Sequence, residues 1–238
     1  MPSLTHRPGA AERVVAWGGA AAFAASLLYF LFSYDSTFTR DLDGALSIGD
    51  VAWDVALFSV FALHHSVFAR LGIRASLQRT LGVLERSVYV WIASALLILV
   101  CAFWRPVAGL VWQLYGLPAW LMRFAHVFGV GLSVVSAAAI DIWDLSGVRL
   151  EPKAQSQEPE FKTTGPYGHV RHPIYLGWFL IVFAVPHMTM TRFVFAVVSA
   201  VYVLIAIPLE ERSLLTTTAG AYERYTQKVR FRLIPRVF

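Results

Sequence analysis

Cysteine is almost missing from the chain: Cys101 is the only one, and it lies inside an apolar run. No internal disulfide can form, no thiol relay is supported, and the residue reads as a buried structural group. Charge is scarce as well. Asp, Glu, Lys and Arg make up 15% of the residues while 57% are hydrophobic, an apolar share beyond that of an ordinary soluble domain. There is no HExxH, paired CxxC or P-loop spacing, so metalloprotease, zinc-site and nucleotide-hydrolase readings lose their support and no metal is expected. The net charge of +5 does not indicate nucleic acid, because the basic residues occupy short segments between apolar runs instead of one polar face. Internal repeats and low-complexity tracts are also absent.

What the chain does have is long apolar runs. In 238 residues, runs of about 17 to 25 residues leave room for roughly five or six spanning helices and for no separate soluble domain. The expected fold is therefore all-α and integral to a membrane. It forms a single domain over 1–238, with four transmembrane helices in 1–143 and a loop, helical hairpin and tail in 144–238. The first run, Val14 to about Tyr34, contains Gly18-Gly19-Ala20-Ala21-Ala22, small residues that suit close helix contact in lipid. It is long for a signal-peptide core and other apolar runs follow it, so it reads as a retained span.

Charge sets the expected orientation. Asp35, Asp41, Asp43 and Asp50 oppose a single Arg40 after the first run, whereas Arg70, Arg74, Arg79 and Arg86 oppose Glu85 after the second, about Val51 to Ala69. The first of these loops reads as outer and the second as cytoplasmic. A third run, about Val88 to Trp104, leads to Trp112, Tyr115 and Trp120, which read as an interfacial aromatic belt. A fourth, about Leu121 to Trp143, returns inward. Two shorter runs, Ile174 to Val185 and Phe193 to Leu209, read as a tight hairpin around Pro186-His187. Its first arm is too short to cross about 30 Å of hydrocarbon unaided, which suggests a partly re-entrant geometry. The tail carries more Arg and Lys than Glu, so both termini are expected in the cytoplasm.

Polar, aromatic and backbone-constraining residues crowd together only at Phe161 to Gly177, FKTTGPYGHVRHPIYLG. Gly165-Pro166 is a turn pair, Pro173 suits the first turn of a helix, and Arg171 and His172 precede that start. A helix N-terminus flanked by cations suits a carboxylate or phosphate. Glu210 and Glu211, just past Pro208, either end a helix in solvent or return beside Arg171 and His172, where the two signs of charge would grip a zwitterion such as an amino-acid headgroup. Tyr167, Tyr175, Tyr222 and Tyr225 serve either as interfacial anchors or as rings around a purine or sulfonium. His64-His65 is either a polar helix end or a proton acceptor for a thiol. Adjacent residues lie roughly 100° apart on a helix, so these two do not share one metal easily.

GPYGHVRHPIYLG, followed by EERSLL, AGAYERY and RLIP, resembles the C-terminal core of the isoprenylcysteine carboxyl methyltransferase family and related membrane methyltransferases, over about Phe161 to Pro235. The resemblance implies a multi-span enzyme that binds S-adenosyl-L-methionine in a cytoplasmic pocket. It implies that Tyr167, His172, Pro173, Ile174 and Tyr175 line that pocket and that Glu211 holds the cofactor, with Glu210, Tyr222 and Tyr225 as weaker carry-overs. Arg171 orients the loop or, with His64, His65 or Arg86, favours the thiolate. The chain departs from the family at one position. The arginine that serves the isoprenylcysteine substrate lies four residues before the cofactor-binding glutamate, and here that position is Ile207. LHHSVFAR at 63–70, ERSVYV at 85–90 and WRP at 104–106 look more like bacterial methanethiol S-methyltransferases and NnrU-type proteins. The implied acceptor is a small neutral thiol and the implied location a bacterial inner membrane. A prenylcysteine carboxylate or lipid headgroup is the alternative acceptor, and a non-enzymatic membrane protein the alternative of another class. Nothing in the sequence fixes an oligomeric state.

Overall fold

The computed structural model describes residues 8–68, 71–150, 161–234 and 237, with side chains omitted at 67–68 and 71–75. Ala69, Arg70 and Pro235, named above, and the side chain of Arg74 lie outside that description. The chain forms α1 (Ala10–Asp35), α2 (Ile48–Phe68), α3 (Leu71–Leu81), α4 (Glu85–Phe103), β1 (Leu110–Gln113), α5 (Gly116–Ile140), α6 (Ile142–Leu145), α7 (Pro173–Phe183), β2 (His187–Thr189), α8 (Met190–Thr217) and α9 (Ala221–Lys228). Among the described residues, four helical stretches are long and apolar enough to cross a membrane: Ala10–Thr39, Ser76–Phe103, Gly116–Ile140 and Met190–Thr217; Pro173–Phe183 is a shorter apolar helix. Their outward faces are apolar, as at Trp120, Phe124 and Val127 on α5. In water such faces would be a large hydrophobic liability, and in a bilayer they are ordinary lipid contact.

The core is aromatic. Phe195 of α8 is fully buried, and its ring meets Phe30 and Tyr34 of α1, Phe38, Phe58 of α2, Trp104, and Trp178 of α7 at centroid distances of 5.0 to 6.1 Å. Elsewhere small residues bring the helices close. At Gly18 an added Cβ would lie 2.9 Å from the Trp91 ring of α4, and Trp91 Nε1 donates to Val15 O at 2.9 Å. The glycine-alanine cluster thus makes the close contact expected of it. Between α5 and α7 the approach is tighter still: a Cβ at Gly177 would lie 2.7 Å from Gly129 O and one at Gly129 would lie 2.7 Å from Leu180 Cβ.

Eleven residues of α7 rise only about 16 Å, roughly half the hydrocarbon thickness. The helix therefore ends among its neighbours, and its last carbonyls need donors there. His126 Nδ1 of α5 bonds Ile181 O at 2.8 Å and the Tyr34 hydroxyl donates to Val182 O, while just past the helix Trp112 Nε1 donates to Val185 O at 2.9 Å. Trp112 is not part of a free interfacial belt, because it lies on β1, which pairs antiparallel with β2. Buried Arg192 completes this end. It donates from Nε to Tyr34 O at 2.8 Å and from NH1 to His187 O at 2.6 Å, and it pairs with Asp35 at 3.1 Å.

Other differences from the sequence reading have simple causes. The basic segment after α2 contains a helix, α3, because its apolar positions recur at helical spacing. α5 breaks at Asp141, whose carboxylate caps α6 through Asp144 N. The last apolar run is part of a 28-residue helix that continues through Pro208 to Thr217, so Glu210 and Glu211 lie inside α8 and not at its end. One missing hydrogen bond is tolerated where neighbouring helices hold the segment.

Gly177→Ala is expected to lower the stability of the detergent-solubilised protein by about 1–3 kcal/mol through overpacking. Gly131→Ala, where a Cβ meets nothing within 4 Å, should leave it unchanged. Thermal melts of the two variants check this; equal melting points would mean that α5 and α7 do not pack through Gly177.

Candidate functional site

The stretch that precedes α7 folds as its composition requires. Gly165 takes φ +60° and opens a 3-10 turn over Gly165–Gly168, while at Gly168 a side chain would collide with Thr163 O. Pro173 takes the first helical position, where its missing N–H is no loss. Arg171 N and His172 N donate to Phe231 O and Arg232 O, both at 2.9 Å. The tail therefore lies alongside the start of α7, and the two motifs that are most distant in the sequence pattern meet here.

Glu211 is the centre of the meeting. It is 6% exposed, and its Oε1 accepts from Arg171 Nε at 2.7 Å, from His172 Nε2 at 3.2 Å and from the Tyr222 hydroxyl at 3.2 Å. Oε2 accepts from Arg232 Nε at 2.9 Å. Three donors thus converge on one oxygen and a fourth holds the other, coming from α7's approach, α9 and the tail. Arg171 is committed too, since its NH1 donates to Val229 O at 3.1 Å and Arg230 O at 2.9 Å. Both ions are thus used internally, which favours the loop-orienting role for Arg171.

Beside this buried group is an open one. Glu210 is exposed, and its Oε2 accepts from the Tyr175 hydroxyl at 2.9 Å and lies 3.9 Å from His172 Nδ1. The His172 and Tyr175 rings stack with centroids 5.4 Å apart. Tyr225 donates to Tyr167 O at 2.8 Å, and Phe161 packs against both Tyr222 and Tyr225. Burial and the nearby Glu210 carboxylate push the Tyr167 hydroxyl above its ordinary range. Pro173 is buried and Ile174 half-buried at the same helix start. The structure thus brings Tyr167, His172, Pro173, Ile174, Tyr175, Glu210, Glu211, Tyr222 and Tyr225 to one end of the bundle.

His64 and His65 are not in that group. Their nearest described partner is Tyr89 of α4, whose hydroxyl is 2.8 Å from His65 Nδ1 and whose ring stacks on His64. Ser66, the next residue, bonds the Tyr202 hydroxyl of α8 at 2.9 Å. Tyr202 and Tyr175 both pack against the cluster of Val203, Ile207 and Leu233, so these layers of one wall connect the two groups. Sequence reasoning passed over Arg232, Tyr89 and Tyr202. Arg232 opens the quoted motif RLIP and Tyr89 lies within ERSVYV, but nothing local signals a partner so far along the chain.

The fold and this end define a helical membrane protein with a paired-glutamate site at the mouth of a short helix. The isoprenylcysteine carboxyl methyltransferase (ICMT) family profile matches residues 134–216. The chain is 34% identical over 227 residues to methanethiol S-methyltransferase 2 of Bradyrhizobium diazoefficiens, covering 92% of this chain and 87% of the relative. To the methanethiol S-methyltransferase of Crocosphaera subtropica it is 38% identical over 204 residues, 83% and 78% of the two chains. To that of Mycobacterium tuberculosis it is 33% identical over 224 residues, 87% and 91% of the two. No solved structure matches. The chain belongs to the isoprenylcysteine carboxyl methyltransferase family.

Burial pushes the Tyr225 hydroxyl up to about 12 from its ordinary 10.0, with Arg171 opposing and Glu211 adding to the shift. The neutral ring is the form that the fold favours. Its contribution is complete below pH 10 and is lost as the pH rises from there towards 12. A tyrosinate absorbance difference between wild type and Tyr225→Phe should have its midpoint near pH 12. A midpoint near 10 would mean that the tail leaves this hydroxyl in water.

Proposed function

We propose that this enzyme transfers the methyl group of S-adenosyl-L-methionine to methanethiol, giving dimethyl sulfide. The observation that carries the reading is correspondence over nearly the whole chain with methanethiol S-methyltransferases. Ile207 supports it: it is fully buried among Val203, Leu233, Tyr175, Trp178 and Tyr202, and such an apolar plug has no cation for a carboxylate substrate. In the plane of the bilayer we take α2 and α7 to join the four long helices, giving six membrane segments with both termini cytoplasmic in a bacterial inner membrane.

The residues at the site end fit the methyl donor. Glu210 has an exposed carboxylate suited to an ammonium, Tyr167, Tyr175 and His172 offer ring faces suited to adenine or to a sulfonium, and the first-turn amides of α7, at Ile174 and Tyr175, suit a carboxylate. When bound, the donor supplies a methyl carbon already activated by a positive sulfur. The protein's part is to align that carbon with the thiol, exclude water and favour the thiolate. Glu211, Arg171 and Tyr222 hold the tail in place around the donor, and Tyr225 does so through Tyr167. His65, with His64 beside it, is the proton acceptor for the thiol.

Labelled S-adenosyl-L-methionine, methanethiol and purified protein test the reading directly. Label should appear in a volatile sulfide. Label in a base-labile ester with a farnesylated cysteine analogue, and none in the sulfide, would mean that the acceptor is a carboxylate. Glu210→Gln should weaken donor binding by roughly tenfold or more, in line with about 1.5–3 kcal/mol for a charged hydrogen bond. Calorimetric binding checks this, and an unchanged affinity would remove Glu210 from the donor site.

A further inference from the structure

Resting on the proposed function, we propose that Tyr89 is a positioning residue that fixes His65 in the tautomer with the proton on Nδ1, leaving Nε2 as the base that takes the thiol proton. The geometry at the end of α2 leads to this assignment. His65 lies in the last turn of α2, with both its ring and its carbonyl facing Tyr89 of α4. The Tyr89 hydroxyl is 2.8 Å from His65 Nδ1 and 3.4 Å from the His65 carbonyl. A phenol has one proton to give. If it goes to Nδ1, the carbonyl contact contains no hydrogen. If Nδ1–H donates to the phenol oxygen, the phenol proton is free for the carbonyl, and both contacts become hydrogen bonds.

The second arrangement leaves Nε2 unprotonated. That atom has no bonded partner among the described residues, and the His65 side chain is exposed. Tyr89 itself is held firmly: it is 8% exposed, His64 stacks on its ring, and Arg86 Cζ lies 5.0 Å from the ring centroid. Arg86 is in turn fixed by donating from Nε to Asp144 O at 3.0 Å. The described titratable groups around the pair are Glu85, Arg86 and Tyr89 from α4, His64 on α2 itself and Tyr202 from α8, with Tyr175 and Glu210 further along the wall. Arg86 opposes a second cation beside it while the site rests, and it favours a thiolate.

The step balances. The S–H bond of methanethiol breaks and its proton passes to His65 Nε2. The freed electron pair forms the new bond from sulfur to the methyl carbon, and the pair of the broken methyl–sulfonium bond stays on the donor sulfur. His65 then loses its proton to solvent.

Tyr89→Phe tests the assignment, because it keeps the ring stacked on His64 and under Arg86 and removes only the hydroxyl. Nitrogen-15 histidine spectra of the detergent-solubilised protein, with His65→Gln used to identify the signal, should show His65 protonated at Nδ1 in wild type and redistributed towards Nε2 in Tyr89→Phe. At pH 7 the variant's kcat should fall about tenfold, less than the roughly hundredfold or more that a positioned base contributes because His65 itself remains, with KM for S-adenosyl-L-methionine unchanged. The deficit should narrow as the pH rises and the thiol ionises unaided. A wild-type His65 protonated at Nε2, or a deficit constant across pH, overturns the assignment. No transfer by the wild-type protein overturns the function on which it rests, whereas transfer by wild type with Tyr89→Phe equally active at every pH overturns the assignment alone.

Discussion

A carboxylate buried among four donors is the constraint on which the site depends. Taking Glu211 out of water is costly, and the cost is met only because Arg171, His172, Tyr222 and Arg232 all reach it. Removing one member of such a cluster typically costs about 3–5 kcal/mol, since it leaves a charge buried without its partner. The cluster therefore acts as a single latch joining the start of α7, the C-terminal part of α8, α9 and the tail. The neighbouring Glu210 inherits its position from that latch while remaining open. Two adjacent glutamates with the same chemistry are thus separated by burial, one bonded into the structure and the other left exposed, as the proposed donor site requires.

The bilayer explains the opposite end. A helix as short as α7 can stop inside a membrane only where other elements satisfy its last carbonyls. His126 of α5 and Tyr34 of α1 do so, and Trp112 of β1 bonds Val185 O just past the helix end. Close packing at Gly129 and Gly177 holds α7 against α5 along its length. With the far end fixed in this way, the first turn of α7 presents its free amides and His172 at the site end.

Local chemistry was legible in the sequence. Gly165-Pro166 and Pro173 announced a turn and a helix start, the small residues around Gly18 announced a close contact, and the motifs from Phe161 onward carried the family. Partnerships across the chain were not legible. Nothing near Trp112 reveals a strand that pairs with His187–Thr189. The motif implies that Glu211 holds the cofactor, and nothing local shows that its carboxylate is also bonded to Arg171, His172, Tyr222 and Arg232. Pro208 suggested a helix end, and tertiary packing carried the helix through it. Ile207 was noticed as a missing cation, and its complete burial gives that absence a physical meaning.

The account stands or falls on the latch. Hydrogen exchange followed along the chain in wild type and Glu211→Gln would test it most directly. The account predicts that the Arg171 and His172 amides, bonded to Phe231 O and Arg232 O, are protected in wild type. In the variant these amides and α9 should exchange much faster, while α1, α4 and α5 stay as they were. Unchanged exchange at Arg171, His172 and α9 would contradict it, as would loosening spread evenly over the whole bundle.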